Sequence, residues 1–512
     1  MEKKKFVYLG ILVILIAYYF LIPVHIFWDS AHYMSYVSIL EGTMPWSSWD
    51  IVRGIVFPLL IHISNFLFGK TTQGILMLTF LFYIGMLITV KLIINQLFDQ
   101  KKKKEKRIVS IILFSIILLD PIIYGYYHAL LTEFVAMTVS LVMCYLSWKW
   151  IHIDFFQDRR KYIIYGIVFL LGTIFSWHLK QPYVSITIFP VIVASVISIL
   201  RSWNLKNILP RMITVLSCIF GLVISMIVWN QFLSNQGINL NTDRNVTASF
   251  GNQLLTGLNN FEVIQEFDED DLIYLSKDDK KKLIKNPEKY HLVNIKKSKN
   301  KIINQVLIPL DNSQNIGTGT AITFILKQLF SHPYLTIESY TSNYLAIADL
   351  FPKDTNDGVD YWIDKNLTLD YCHENCVIAT GTRFKKSNIA YMPDEYYERV
   401  MNYEQFNASP LFLRGLMTIT SKIAPNIFKM VILFLPLLIV CSTVSIIKNK
   451  KSKANELLTM ISILSWYSLL HILVHVVTGA NIDRYAAPVY IPVLISFILY
   501  GYYLIEKRRL KN

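Results

Sequence analysis

The sequence predicts a mainly α fold: a polytopic membrane helix bundle of about ten spans or more, carrying one extracytoplasmic mixed domain. Three observations predict it. Of 512 residues, 53% are hydrophobic and only 17% charged, more apolar surface than a soluble core of this size could bury. Many apolar runs reach the ~20 residues needed to cross a hydrocarbon core. Lysine and arginine are concentrated in alternate short loops.

The first apolar run, Phe6 to Phe27, follows Lys3, Lys4 and Lys5 and has no small-residue cleavage site after it. It reads as a retained first span; a signal peptide, whose apolar core is normally shorter, is the alternative. Further spans are expected at Thr72–Leu97, Ile108–Tyr124, Leu130–Trp150, Tyr162–Trp177, Tyr183–Leu200, Leu209–Phe232, Ile427–Ile447, Leu457–Val477 and Tyr485–Ile505.

With the N-terminus inside, the loops at 100–107, 159–161, 201–211, 448–453 and 507–511 fall on one side, and all are basic. The opposite short connections, around His128, Gln181 and Asp483, carry almost no cations. This positive-inside pattern predicts a plasma-membrane protein with both termini cytoplasmic. The net charge of +14 is then a topology signal and a match to anionic lipid, and gives little reason to expect nucleic acid.

Three regions follow: an N-terminal transmembrane region, 1–234, which includes a first outer loop at 28–71; an extracytoplasmic domain, 235–426; and C-terminal transmembrane helices, 427–512. The second half of the first loop, IVRGIVFPLLIHISNFLFG, is apolar but short, which suggests an amphipathic or re-entrant helix at the interface. In the outer domain, Asp268 to Lys301 reads as a charge-rich helical stretch. It is either a solvated surface helix or a lysine surface for an anionic acceptor. Thr318–Phe330 and Tyr334–Leu350 read as helices packing the domain onto the membrane face, and Asp354–Asp370 as an acidic, tyrosine-rich loop.

Cys144, Cys218 and Cys441 fall inside spans as small apolar fillers. Cys372 and Cys376, in CHENC, suit a local disulfide outside the cell; a metal site there lacks further ligands nearby in sequence. No Walker, Rossmann, HExxH or GxSxG pattern occurs, so chemistry here would draw its energy from an activated substrate.

The informative polar residues gather at the outer ends of spans. Asp29 follows the first span, Asp120 and Pro121 end the third, and His128 and Glu133 open the fourth. His178, Lys180 and Pro182 lie between the fifth and sixth, and Asp483 and Arg484 open the tenth. Charges gathered at one interface mark a site reached from that interface and from the lipid. Lys180 alone would pass as a snorkelling interfacial cation. Glu133, a turn inside its span, is harder to explain by lipid exposure. His471 and His475 share a helix face at i,i+4 spacing; they could begin a zinc site, but without a third ligand they read as hydrogen-bonding partners within the bundle.

These features resemble the GT-C superfamily of membrane glycosyltransferases. The resemblance lies in WDSAHYMSYVSILEG (Trp28 to Gly42), IVRGIVFPLLIHISNFLFG (Ile51 to Gly69), DPIIYGYYHALLTEF (Asp120 to Phe134), HLKQPY (His178 to Tyr183) and DRYAAPVYIP (Asp483 to Pro492), in their joint order. It covers the membrane half, is nearest the protein mannosyltransferase and aminoarabinose transferase type, and leaves 235–426 unmatched.

The resemblance implies hexosyl or pentosyl transfer from a polyprenyl-phosphate-linked donor to an extracytoplasmic glycan, lipid or protein acceptor of the cell envelope. Asp29 would be the general base, with Glu133 orienting the acceptor or the donor sugar. Arg484 and Lys180, with Arg53, would neutralise the phosphate leaving group. Tyr33, Asp120, His128 and Asp483 complete the expected substrate contacts. Asp29 has Trp28, Ser30 and Ala31 as neighbours rather than the second acidic residue common in relatives. No cofactor and no obligatory divalent metal are therefore expected. Two competing classes are a polymerase or ligase using a lipid-linked glycan and a non-enzymatic lipid-sugar transporter. Transporters commonly show repeated halves and mid-membrane polar groups, and the sequence has neither.

Overall fold

The computed structural model describes residues 19–20, 28–49, 53–98, 103–201, 205–238, 250–258, 260–264, 267–297, 301–311, 315–348, 411–448, 454–478 and 486–509. The chain runs α1 (Trp28–Leu40), α2 (Val56–Phe68), α3 (Thr72–Leu97), α4 (Lys103–Leu119), α5 (Pro121–Tyr127), α6 (Glu133–Ile151), α7 (Arg159–Leu179), α8 (Ser185–Arg201) and α9 (Leu205–Asn235). A domain follows with α10 (Phe250–Thr256), β1 (Phe261–Ile264), α11 (Lys277–Lys285), β2 (Tyr290–Lys297), β3 (Lys301–Pro309), α12 (Thr318–Ser331) and α13 (Pro333–Ala348). Three long helices close the described chain: α14 (Leu411–Lys448), α15 (Ala454–Thr478) and α16 (Ala487–Arg509).

Among the described residues, 8 helices are long and apolar enough to cross a membrane, which makes this a helical membrane bundle. They correspond to eight of the expected spans. The first run, Phe6 to Phe27, lies outside the described residues. The third is a correction: Ile108–Tyr124 is not one helix, because α4 stops at Leu119 and α5 restarts at Pro121. Asp120 causes both events. Its backbone is extended before the proline, and its carboxylate accepts from the Ile122 amide at 2.8 Å, capping the new helix.

The centre of the bundle is α6 and α15, whose spans are 72% buried, with α8 and α16 between them; α9, at 17%, is peripheral. One polar contact inside this core follows directly from sequence. Pro492 interrupts α16 and has no N–H to offer the carbonyl of Pro488, and Ser140 of α6 donates its hydroxyl to that carbonyl at 2.7 Å.

In the domain, β1, β2 and β3 form an antiparallel sheet with β2 in the middle, pairing Phe261 with Ile295 and Val293 with Val306. Both faces of β2 are covered. Val293 and Ile295 join Leu254, Leu255 and Phe324 in one core, while Leu292 joins Leu272, Leu275 and Leu283 beneath α11. The expected single helical stretch over Asp268 to Lys301 is therefore corrected: α11 covers nine residues of it, β2 takes eight more, and β3 starts at Lys301. The β-rich run YHLVNI, not the surrounding lysines, decides the local structure.

Helices α12 and α13 form where expected, and α13 fastens the domain to the bundle. Asn343 Nδ2 donates to the carbonyls of Gly257 (2.7 Å) and Val476 (2.9 Å), and the Tyr344 hydroxyl donates to the Ile432 carbonyl at 2.7 Å. The bundle thus has a domain end, where these contacts lie, and a basic end, where α16 finishes in Lys507, Arg508 and Arg509. Helix α14 continues across residue 426, so the expected boundary there is not a break in structure.

Candidate functional site

Three segments remote in sequence meet at the domain end: the start of α1, the turn entering α6, and the turn joining α7 to α8. The Ser30 hydroxyl donates to the Leu130 carbonyl at 2.7 Å, pinning the first turn of α1 to the α6 entry. Asp29 precedes Ser30 in that turn of helix; its side chain lies outside the described residues.

The loop after α1 is pressed against the α7 exit. A Cβ on Gly54 would lie 1.9 Å from the His178 carbonyl oxygen, so only glycine permits the two backbones to approach this closely. The neighbouring Arg53 is held by its own main chain, whose carbonyl accepts from the Trp49 indole at 2.9 Å. Its guanidinium reaches the Tyr33 hydroxyl at 3.3 Å and lies over the same ring. Tyr33 meets Phe57 at 4.7 Å between ring centres, and Phe57 meets Phe134 at 5.8 Å, next to Glu133.

Glu133 is fully buried. Lys180 Nζ stands 3.4 Å from its Oε1, the Tyr183 hydroxyl donates to the same oxygen at 3.1 Å, and the Thr132 hydroxyl donates to Oε2 at 3.3 Å. The helix break puts the lysine there. Lys180 is extended as the last cap of α7, and Gln181-Pro182 starts a new turn, so the side chain leaves the α7 axis toward the bundle interior instead of snorkelling outward. A buried charge of either sign is costly without its counterpart. The two are placed as a pair, with Lys180 also lying over the Tyr183 ring.

At the first residue of α8, the hydroxyl of Ser185 bonds His471 Nδ1 at 2.7 Å, and the His471 ring meets that of His475 at 4.8 Å. His471 thus hydrogen-bonds within the bundle, and among the described residues no group of three or more His, Cys, Asp or Glu side chains is placed to hold a metal. Next to His471, Leu470 begins an apolar cleft of about 210 Å³ that continues along Ile192, Val196, Leu200, Ile446 and Trp466 toward the basic end.

Two further expected site residues are held by hydrogen bonds within the bundle. Asp120, besides capping α5, accepts a hydrogen bond from the Tyr490 hydroxyl and so ties α5 to α16. His128 sits with Nδ1 at the Tyr124 carbonyl (2.8 Å) and Nε2 at the Tyr19 carbonyl (2.9 Å), buried against the Tyr19 ring. Asp483, Arg484, Cys372 and Cys376 lie outside the described residues, as does the loop 354–370.

Sequence reasoning did not single out Thr132, Tyr183 or Ser185 as members of the cluster. The one available signal was the helix restart at QPYVS, which places Tyr183 and Ser185 on the first turn facing inward. In the domain, surface charges are ordinary: the hydrogen bond from Lys296 holds the Glu262 carboxyl below its usual value, and Lys282 does the same for Asp279. No family model, curated protein or solved structure matches this chain.

Proposed function

We propose that this protein is an integral-membrane glycosyltransferase that moves a sugar from a polyprenyl-phosphate-linked donor to an extracytoplasmic acceptor. The observation that carries the reading is the division of the bundle between a buried polar cluster at its domain end and an apolar cleft nearer its basic end. Lys180, Glu133, Tyr183, Ser185 and His471 lie at the domain end, and the cleft is lined by apolar residues of α8, α14 and α15 further along the bundle. A charged head joined to a long hydrocarbon tail has this same division. The domain end then faces outward, with both termini cytoplasmic, in keeping with the basic loops.

In the proposed reaction, the acceptor hydroxyl loses its proton to Asp29 and its oxygen bonds to the anomeric carbon. The bond from that carbon to the phosphate oxygen breaks, and the phosphate keeps the electron pair. Lys180 stabilises the charge that develops on it, joined by Arg53 from the loop that Gly54 holds against His178, and by Arg484. Glu133 has its oxygens engaged by Lys180, Tyr183 and Thr132. This supports a positioning role toward Lys180 in place of direct contact with a sugar.

A positioned general base contributes roughly 10²–10⁴ in rate. Asp29→Asn is therefore expected to lose transfer by that factor while inserting normally, measured with purified protein and a panel of labelled polyprenyl-phosphate sugars. Transfer by this variant within a few-fold of the parent removes Asp29 from the role. Absence of transfer from every carrier in the panel removes the proposed activity.

A further inference from the structure

We infer that the α12–α13 hairpin is an interfacial anchor, whose outward face is buried in the acyl-chain boundary of the leaflet at the domain end. The inward face of α12 is accounted for, since Ala321, Phe324 and Gln328 pack on the sheet and α10. Its other face carries Ile322, Leu326, Leu329 and Phe330, spaced i, i+4, i+7 and i+8, and all exposed. Phe330, beside the turn into α13, is 83% exposed, and Tyr334, Ile337 and Leu345 extend the stripe along α13. So many large apolar side chains exposed along one hairpin are unusual on a surface meant for water.

The occupant follows from where the stripe leads. Tyr344 bonds the carbonyl of Ile432, six residues inside the apolar span that begins at Asn426, or about 9 Å along the helix at about 1.5 Å per residue. Asn343 bonds Val476, two residues from the end of the α15 span. The C-terminal half of α13 is therefore level with the ends of the membrane helices. Leu345, adjacent to Tyr344, is exposed, and so are Met430, Leu433, Phe434 and Leu437 on α14, the helix on which α13 packs. The stripe continues a surface that must already face hydrocarbon. Lys327, exposed on the same helix, suits a phosphate at headgroup level. This inference stands whether or not the chain transfers sugar.

The test uses the full-length protein in nanodiscs made with a phosphatidylcholine carrying a diazirine in its acyl chain. After irradiation, adducts are mapped by peptide mass spectrometry. Residues 322–337 are expected to be labelled at a yield comparable to 430–437, the internal standard for lipid contact. Phe330→Glu is expected to lose the labelling at 322–337 while leaving that at 430–437 unchanged. Labelling confined to 430–437 in the unmodified protein overturns the inference. So does crosslinking of residue 330 to a second copy of the chain, which would make the face a dimer contact.

Discussion

Two buried cations, one at each end of the bundle, are held in opposite ways. Lys180 at the domain end stands 3.4 Å from a fully buried carboxylate. Arg211 at the basic end is also buried, but its direct contacts are neutral: Nη2 donates to the Ile151 carbonyl at 3.0 Å, and the guanidinium lies over the Trp150 ring at 4.8 Å. Asp154 acts on it only at longer range, without an ion pair. Ile151 closes α6, so Arg211 sits where a helix dipole favours a cation, and its work is finished by fastening α9 to α6. Lys180 is balanced by a full charge. An arriving anion can compete with Glu133 for it, whereas Arg211 is bonded to a carbonyl that the helix end fixes in place. Under the proposed function, the contrast separates a cation that anchors from one that a phosphate would engage.

The largest effect is expected at Glu133. Glu133→Gln leaves Lys180 buried without its counter-charge, a loss typically of about 3–5 kcal/mol, to be read as reduced resistance to denaturation in detergent. Pairing it with Lys180→Met is expected to recover much of that loss, because both charges are then gone. If the double variant is as unstable as the two single losses added, the pair is not coupled and the comparison fails. Arg211→Met is expected to cost less, about 2 kcal/mol, for one charge-assisted hydrogen bond and one ring contact, and to leave any transfer activity unchanged.

The smallest effect belongs to the exposed pair Lys296–Glu262, 2.7 Å apart on the sheet. The lysine lowers the Glu262 pKa in the folded state, so its stabilisation is present above the ordinary value of 4.5 and is lost as pH falls through the lowered one. Lys296→Ala should therefore lower thermal stability slightly at neutral pH and not at all under strongly acid conditions, followed by melting of the two proteins across about pH 2–7.

How much of this was legible depends on how many residues carried each signal. Eight spans were readable because a twenty-residue apolar run has few other fates. The break at Asp120-Pro121 was readable only locally, as a helix stop, and the apolar residues on both sides concealed it. The sheet was hidden for a different reason: lysines at Lys296, Lys297 and Lys301 bracket its hairpin and suggest a solvated helix, while burial of Val293 and Ile295 depends on α10 and α12, more distant in sequence. At the candidate site, Glu133 and Lys180 were visible as charges in the wrong solvent. That they meet was not visible, because the meeting depends on how α6 and α7 pack. Tyr183 and Ser185 carry no charge, and their only signal was the helix restart at QPYVS.

The proline in α16 has a consequence for folding order. Pro492 leaves the Pro488 carbonyl, in the first turn of α16, without its usual intrahelical donor, and Ser140 on α6 supplies one. The last described helix therefore takes one of its backbone hydrogen bonds from another span. It depends on a helix inserted about 350 residues earlier by their sequence separation, so its final burial is a step of assembly between spans, after insertion, with the correct neighbour marked by a single hydroxyl.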